Sequence, residues 1–124
     1  MKRRRIRIRD RAYNDLAERS EFLRLQNPAS ALKYLDAAES CIERLARAPL
    51  LGARFAPDHA VLGELRFLPL DRFRNDLVFY RPCDGGIEVV RILNGSRDIE
   101  RILSEEFGLK AETDEDESET DVTE

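Results

Sequence analysis

The chain opens on an alternation. Between Arg3 and Arg9, Ile6 and Ile8 fall on one side and Arg5, Arg7 and Arg9 on the other, which is the period of a half-buried strand. Asp10 then suits a helix N-cap. Tyr13, Leu16, Ala17 and Leu23 follow at helical spacing. Asn27-Pro28 restarts the count, with Asn27 as cap and Pro28 at the first helical position, where a missing N–H costs nothing. Ala31, Tyr34, Leu35, Ala38, Ile42 and Leu45 mark one apolar face up to about Ala48, and Pro49 stops the helix. Two helices separated by so short a break predict an antiparallel hairpin.

Leu50 to His59, with Gly52 and Pro57, reads as a loop. Three strands are predicted after it, over Val61–Leu68, Asp76–Arg81 and Ile87–Leu93. Pro82-Cys83-Asp84-Gly85-Gly86 joins the last two, and its glycines supply the positive φ of a hairpin turn. Ser96 suits the cap of a last helix whose Ile99, Ile102, Leu103 and Phe107 share a face, and Gly108 suits its C-terminal end. The order predicts an α+β fold: an N-terminal strand, a helical hairpin, a three-stranded antiparallel meander completing one sheet, and a short C-terminal helix.

Charge adds a boundary that the periodicity does not show. The 124 residues carry a net −4. Residues 110–124 hold eight acids against Lys110, a net −7, so residues 1–109 carry +3. We therefore expect one domain over 1–109 and an acidic tail over 110–124, too poor in apolar residues to fold alone. The body is rich in arginine, whose planar fork of donors suits carboxylates and phosphates, and a basic surface expects an acidic partner. No run of about 18 apolar residues is present to span a membrane. The basic start is not followed by the apolar stretch of a signal peptide. A cytoplasmic protein with two free thiols, Cys41 and Cys83, is the simplest expectation.

Candidate chemistry is sparse. There is no GxGxxG, P-loop or HExxH pattern, and the single histidine, His59, lies in a Pro-containing loop. No ligand cluster for a metal is visible, and no cofactor is expected. Glu39 and Glu43 read as ordinary helix-surface patterning. What stands out is a set of arginines on or near the predicted strands, Arg66, Arg72, Arg74, Arg81, Arg91 and Arg97, with Tyr80 among them. Arg91, inside an apolar run, is expected on the sheet face, paired with Asp98 or Glu88 or holding a ligand.

These residues carry a resemblance. The stretch LRFLPLDRFRNDLVFYRPCDGGIEVVRILNGSRDIERIL, Leu65–Leu103, resembles the C-terminal half of ParE toxins, in the RelE/ParE superfamily of bacterial type II toxin–antitoxin modules. Arg66, Pro69, Phe73, Asn75, Leu77, Tyr80, Arg81, Gly86, Ile87, Arg91, Gly95, Arg97 and Asp98 match its pattern. So do Ala12 to Leu16, Ala31 to Leu35 and Leu45 to Gly52. The likeness spans about residues 5 to 104 and leaves out the acidic tail.

The resemblance implies a RelE/ParE-like fold and a toxin neutralised by a cognate antitoxin with an acidic C-terminal segment. It implies a role in plasmid stabilization and, for the ParE type, inhibition of DNA gyrase. It implies no sequence-specific DNA binding by the chain itself. One alternative is a RelE-type ribosome-dependent mRNA endoribonuclease, for which Arg66, Tyr80, Arg81 and Arg97 are the catalytic candidates. The other is a non-toxic, antitoxin-binding relative. Candidates for contact with antitoxin or target are Arg66, Arg72, Arg81, Arg91, Asn94, Arg97 and Asp98. The departure is Asn94, where many relatives have histidine: a carboxamide cannot act as an acid or base near neutral pH, though it tolerates a strand end and a turn.

Overall fold

The computed structural model describes residues 5–109; the expected tail, 110–124, lies outside the described residues. The elements are β1 (Arg5–Ile8), α1 (Asp10–Gln26), α2 (Pro28–Arg47), β2 (Ala53–Arg54), β3 (Arg66–Pro69), β4 (Asp76–Cys83), β5 (Gly86–Asn94) and α3 (Ile99–Glu106). They form one five-stranded sheet in the order β1-β5-β4-β3-β2. β1 runs parallel to β5, and every other pair is antiparallel. The α+β arrangement is the expected one, with β2 as an additional short edge strand inside the predicted loop.

The hairpin α1–α2 covers one face of the sheet. Tyr34, Ala38, Ile42 and Leu45 of α2 pack there on Val78, Tyr80, Ile87, Val89 and Ile92. The opposite face buries Phe79, Val90 and Leu93 under Leu62, Leu65 and the Ile102–Leu103 pair of α3. Alternation along β4 and β5 thus feeds two cores, so β5 is buried nearly throughout and β4 through its middle, Val78–Tyr80.

Several expectations are corrected. Asp10 is not the cap of α1: Arg9 occupies that position without a side-chain bond, and Asp10 opens the helix. Tyr13 and Ala17 are exposed, because the inward line of α1 runs through Ala12 and Asp15 instead. Leu35 is also largely exposed. The strand predicted over Val61–Leu68 is only β3, preceded by a 3₁₀ turn at Leu62–Glu64. Leu62 and Leu65 are both buried at three-residue spacing, and His59 Nδ1 accepts the backbone N–H groups of Val61 and Leu62, which bends the chain there. Asp98, not Ser96, caps α3 by accepting from the backbone of Arg101. The hairpin turn is tighter than predicted: β4 and β5 pair to Cys83 and Gly86, leaving Asp84 and Gly85, the latter at φ +76°. Asn27 does cap α2 as expected, accepting from Ala29.

Candidate functional site

Asn94 ends β5 opposite Asp76, the first residue of β4. Its Oδ1 accepts the backbone N–H of Ser96 at 3.0 Å, and Gly95 N–H donates to the Asn75 carbonyl at 2.7 Å. Asn94 Nδ2 lies 3.5 Å from Asp76 Oδ1. The Asn-Gly-Ser turn is thereby tied to the start of β4 and hands the chain to α3. Asp76 is itself buried and pairs with Arg19 of α1, Nε to Oδ1 3.1 Å. A cleft of about 190 Å³ opens here, lined by Arg19, Phe22, Asp76, Ile92, Asn94 and Arg97. Its polar groups can hold a ligand, and Asn94, where the resemblance leads one to expect histidine, contributes a carboxamide that donates and accepts hydrogen bonds but does not titrate.

Arg91 is corrected in its partner. It pairs with neither Asp98 nor Glu88. Its Nε and Nη2 donate to the two oxygens of Asp15 at 2.7 and 2.9 Å, and Nη1 lies 3.5 Å from Glu106. A β-bulge between Phe79 and Tyr80 of β4 leaves Val90 without a partner in the ladder, and Arg91 pairs with Phe79. The bidentate hydrogen bond to Asp15 holds the guanidinium charged, raising its pKa. Arg91 is buried, with all its nitrogens facing inward partners.

Arg81 joins the same network from β4. Its Nε donates to Glu88 Oε1 at 2.8 Å, and Arg9 Nε donates to Glu88 Oε2 at 3.1 Å. Arg9 also reaches Glu106 at 3.2 Å, and its guanidinium stacks 4.8 Å from the ring centre of Phe107. Burial opposes ionisation of Glu88, but the hydrogen bonds from Arg9 and Arg81 outweigh it and hold the carboxyl below its usual range. Three arginines and the carboxylates Asp15, Glu88 and Glu106 thus lock β1, α1, β4, β5 and α3 together.

Arg66 and Tyr80 meet at the other end of the sheet. Arg66 Nη1 donates to the Gly52 carbonyl at 2.8 Å and the Leu50 carbonyl at 3.3 Å. The Tyr80 hydroxyl donates to the Pro49 carbonyl at 2.7 Å and accepts from Gly52 N–H at 2.8 Å. Burial raises its pKa. A Cβ on Gly52 would lie 2.7 Å from that hydroxyl, so glycine is required for the approach. Both side chains clamp the chain leaving α2.

Arg72, Arg74 and Arg97 are exposed, and their side chains make no ion pair or hydrogen bond among the described residues. Arg72 has φ +71°, unusual for a residue with a side chain. It borders a cleft of about 280 Å³ with Lys33, Ser40, Arg44 and Asp71. The structure therefore brings Asn94 and Arg97 to one cleft and Arg66 and Tyr80 to one clamp. Arg72 lies apart from both, and Asp98 is spent on α3.

A largely apolar groove of about 260 Å³ lies between β1 and the hairpin, lined by Ile6, Ile8, Leu16, Leu35, Ala38 and Ile42, with the carboxylates Glu39 and Glu43 also on its wall. Tyr13, Phe22, Leu25 and Leu32 add exposed apolar surface on the hairpin. One edge of β1 pairs with β5 and the other has no strand beside it among the described residues.

Sequence reasoning missed Asp15, Arg19, Asp76 and Glu106 as partners, and it assigned Glu88 to Arg91 where the structure gives it to Arg9 and Arg81. Asp15 left a trace: it shares the inward line of α1 with Ala12 and Leu16, an acid where a core residue is expected. The others needed the fold.

A family model described as ParE toxin of type II toxin-antitoxin system, parDE, matches residues 6–99. A chain of the solved structure titled "Chromosomal ParDE TA system from P. aeruginosa" superimposes with a TM-score of 0.60 at 20% sequence identity, covering 73% of this chain and 95% of that chain. No curated protein matches. Among the described residues no helix is long and apolar enough to cross a membrane.

Proposed function

The chain belongs to the ParE toxin family of type II toxin–antitoxin systems, and from that premise we propose that it is a toxin held inactive by a cognate antitoxin and directed at DNA gyrase in the bacterial cytoplasm. It acts in this reading by binding, not by cutting a substrate. The observation that carries the choice is Asn94. Its side chain is a carboxamide engaged with Ser96 and Asp76, so the strand end offers no imidazole for RNA cleavage. The clamp role of Tyr80 supports the same choice, since its hydroxyl is bonded to Pro49 and Gly52.

The antitoxin segment fits the groove beside β1 and the unpaired edge of that strand. Apolar anchors of the antitoxin would enter between Ile6, Leu16, Leu35 and Ile42, and a strand could extend the sheet. Acidic residues of the segment are assigned to the arginine set. Of the arginines among the contact candidates, Arg66, Arg81 and Arg91 already have internal partners, so the exposed Arg72 and Arg97 are the ones placed to give binding energy without loss of fold.

The test is a gyrase supercoiling assay with purified protein, beside a cleavage assay on translating ribosomes. Inhibition of supercoiling that the antitoxin relieves is expected, with intact messenger RNA. Codon-dependent cleavage would overturn the reading in favour of the endoribonuclease. Activity in neither assay, with antitoxin still bound, would favour the non-toxic relative.

A further inference from the structure

The two charge extremes of the chain lie at its two ends. Lys2, Arg3, Arg4, Arg5, Arg7, Arg9 and Arg11 crowd the first eleven residues, and the eight acids of 110–124 crowd the last fifteen. α3 ends beside the junction of β1 and α1: Glu106 pairs with Arg9, and Phe107 sits over the guanidinium groups of Arg9 and Arg81 at 4.8 and 5.9 Å. Leu109 packs beneath the sheet with the second core. The described residues therefore end, at Leu109, on the face of the sheet that carries Arg9 and Arg81.

We propose that residues 110–124 dock back on the outer face of β1, along Arg7 and Arg5, as an electrostatic strap. Ile6 and Ile8 line the groove toward the hairpin, so alternation turns Arg5 and Arg7 to the opposite face, the side of Arg81 and Glu88. Arg5 and Arg7 are exposed and make no ion pair among the described residues. Register puts Arg7 beside Glu88 and Arg5 beside Gly86. The distance is short: four strand steps separate Arg9 from Arg5, about 13 Å, whereas fifteen residues reach up to about 50 Å. Tethering holds the acids near the arginines at an effective concentration on the order of millimolar. Exposed ion pairs are individually weak, so the strap rests on their number and loosens with salt.

Cys83 offers a native probe. It is exposed, whereas Cys41 is buried and its thiol is pushed up to about 11 by burial. Cys83 pairs with Gly86, which pairs with Arg5, so a label on Cys83 lies two strands from the arginines. With a nitroxide on Cys83 of the full chain, the tail amide resonances should broaden in about 20 mM salt and recover in about 0.5 M, as the Debye length shrinks. The double variant Arg5→Gln, Arg7→Gln should abolish the broadening. So should neutralising Asp114, Glu115, Asp116 and Glu117 to Asn or Gln, which leaves β1 unaltered and keeps the test decisive if the β1 variant misfolds. Unbroadened tail resonances at low salt, or broadening indifferent to the tail neutralisation, would overturn the strap.

Discussion

Asp15 accepts three hydrogen bonds: from Arg91 Nε and Nη2 at 2.7 and 2.9 Å, and from the backbone N–H of Ile92 at 2.9 Å. β1 ends at Ile8, opposite Val89, so beyond that point β5 has lost its neighbour on one side. Asp15 stands in for the missing strand at Ile92 and neutralises the arginine beside it. A buried donor left without an acceptor is costly, and so is an unpaired buried charge.

Asp15→Ala should therefore destabilise the protein by about 3–5 kcal/mol, the range for breaking a buried ion pair. Urea denaturation measures it. A loss under about 1 kcal/mol would mean that Glu106 and solvent satisfy Arg91 unaided.

Glu88 should make the fold acid-sensitive. Its carboxyl is held below its usual range by Arg9 and Arg81. A depressed carboxylate contributes stability that is fully present above its unfolded pKa of about 4.3 and is lost as pH falls through the folded value. Wild type should thus lose stability below about pH 5 more steeply than Glu88→Gln, which should be weaker near neutral pH. Parallel stability curves for the two proteins would remove Glu88 from the acid response.

Tyr80→Phe should act on the fold alone. Removing the hydroxyl leaves Gly52 N–H without its acceptor, at a cost of about 1–3 kcal/mol. Thermal melting should register this, while supercoiling inhibition by the folded variant stays at the wild-type level. An unchanged melt with abolished activity would assign the hydroxyl to function.

Binding of the antitoxin should separate the arginines. Arg72→Ala should weaken binding in calorimetry and leave the melting temperature unchanged. Arg66→Ala should lower stability, because the carbonyls of Leu50 and Gly52 lose their donor. A desolvated charge pair at an interface costs about 2–5 kcal/mol when truncated. If Arg72→Ala binds as tightly as wild type, the acidic contacts lie elsewhere.

Ending the chain after Leu109 should leave the melting temperature intact and raise antitoxin affinity at low salt, with the gain shrinking as salt is added. This follows if the strap and the antitoxin share the basic end of the sheet. Equal affinities of the full and shortened chains at low salt would confine the strap to a surface that the antitoxin does not use.

The order of elements and the α+β class were legible in the chain because periods of two and 3.6 are local properties. The same holds for the Asn27-Pro28 helix start and the positive-φ glycine of the hairpin. Family kinship was legible too, from spaced residues no one of which suffices. The partners of the arginines were not. Arg91 looked toward Glu88 and Asp98, its near neighbours in sequence, yet it meets Asp15, 76 residues away. That pairing depends on where β1 stops, on a bulge beside Tyr80 and on the inward line of α1, and none of these is a property of a short stretch. Charge tells a chain that it must find counter-charge; only the packed sheet decides which arginines are consumed inside and which remain for a partner.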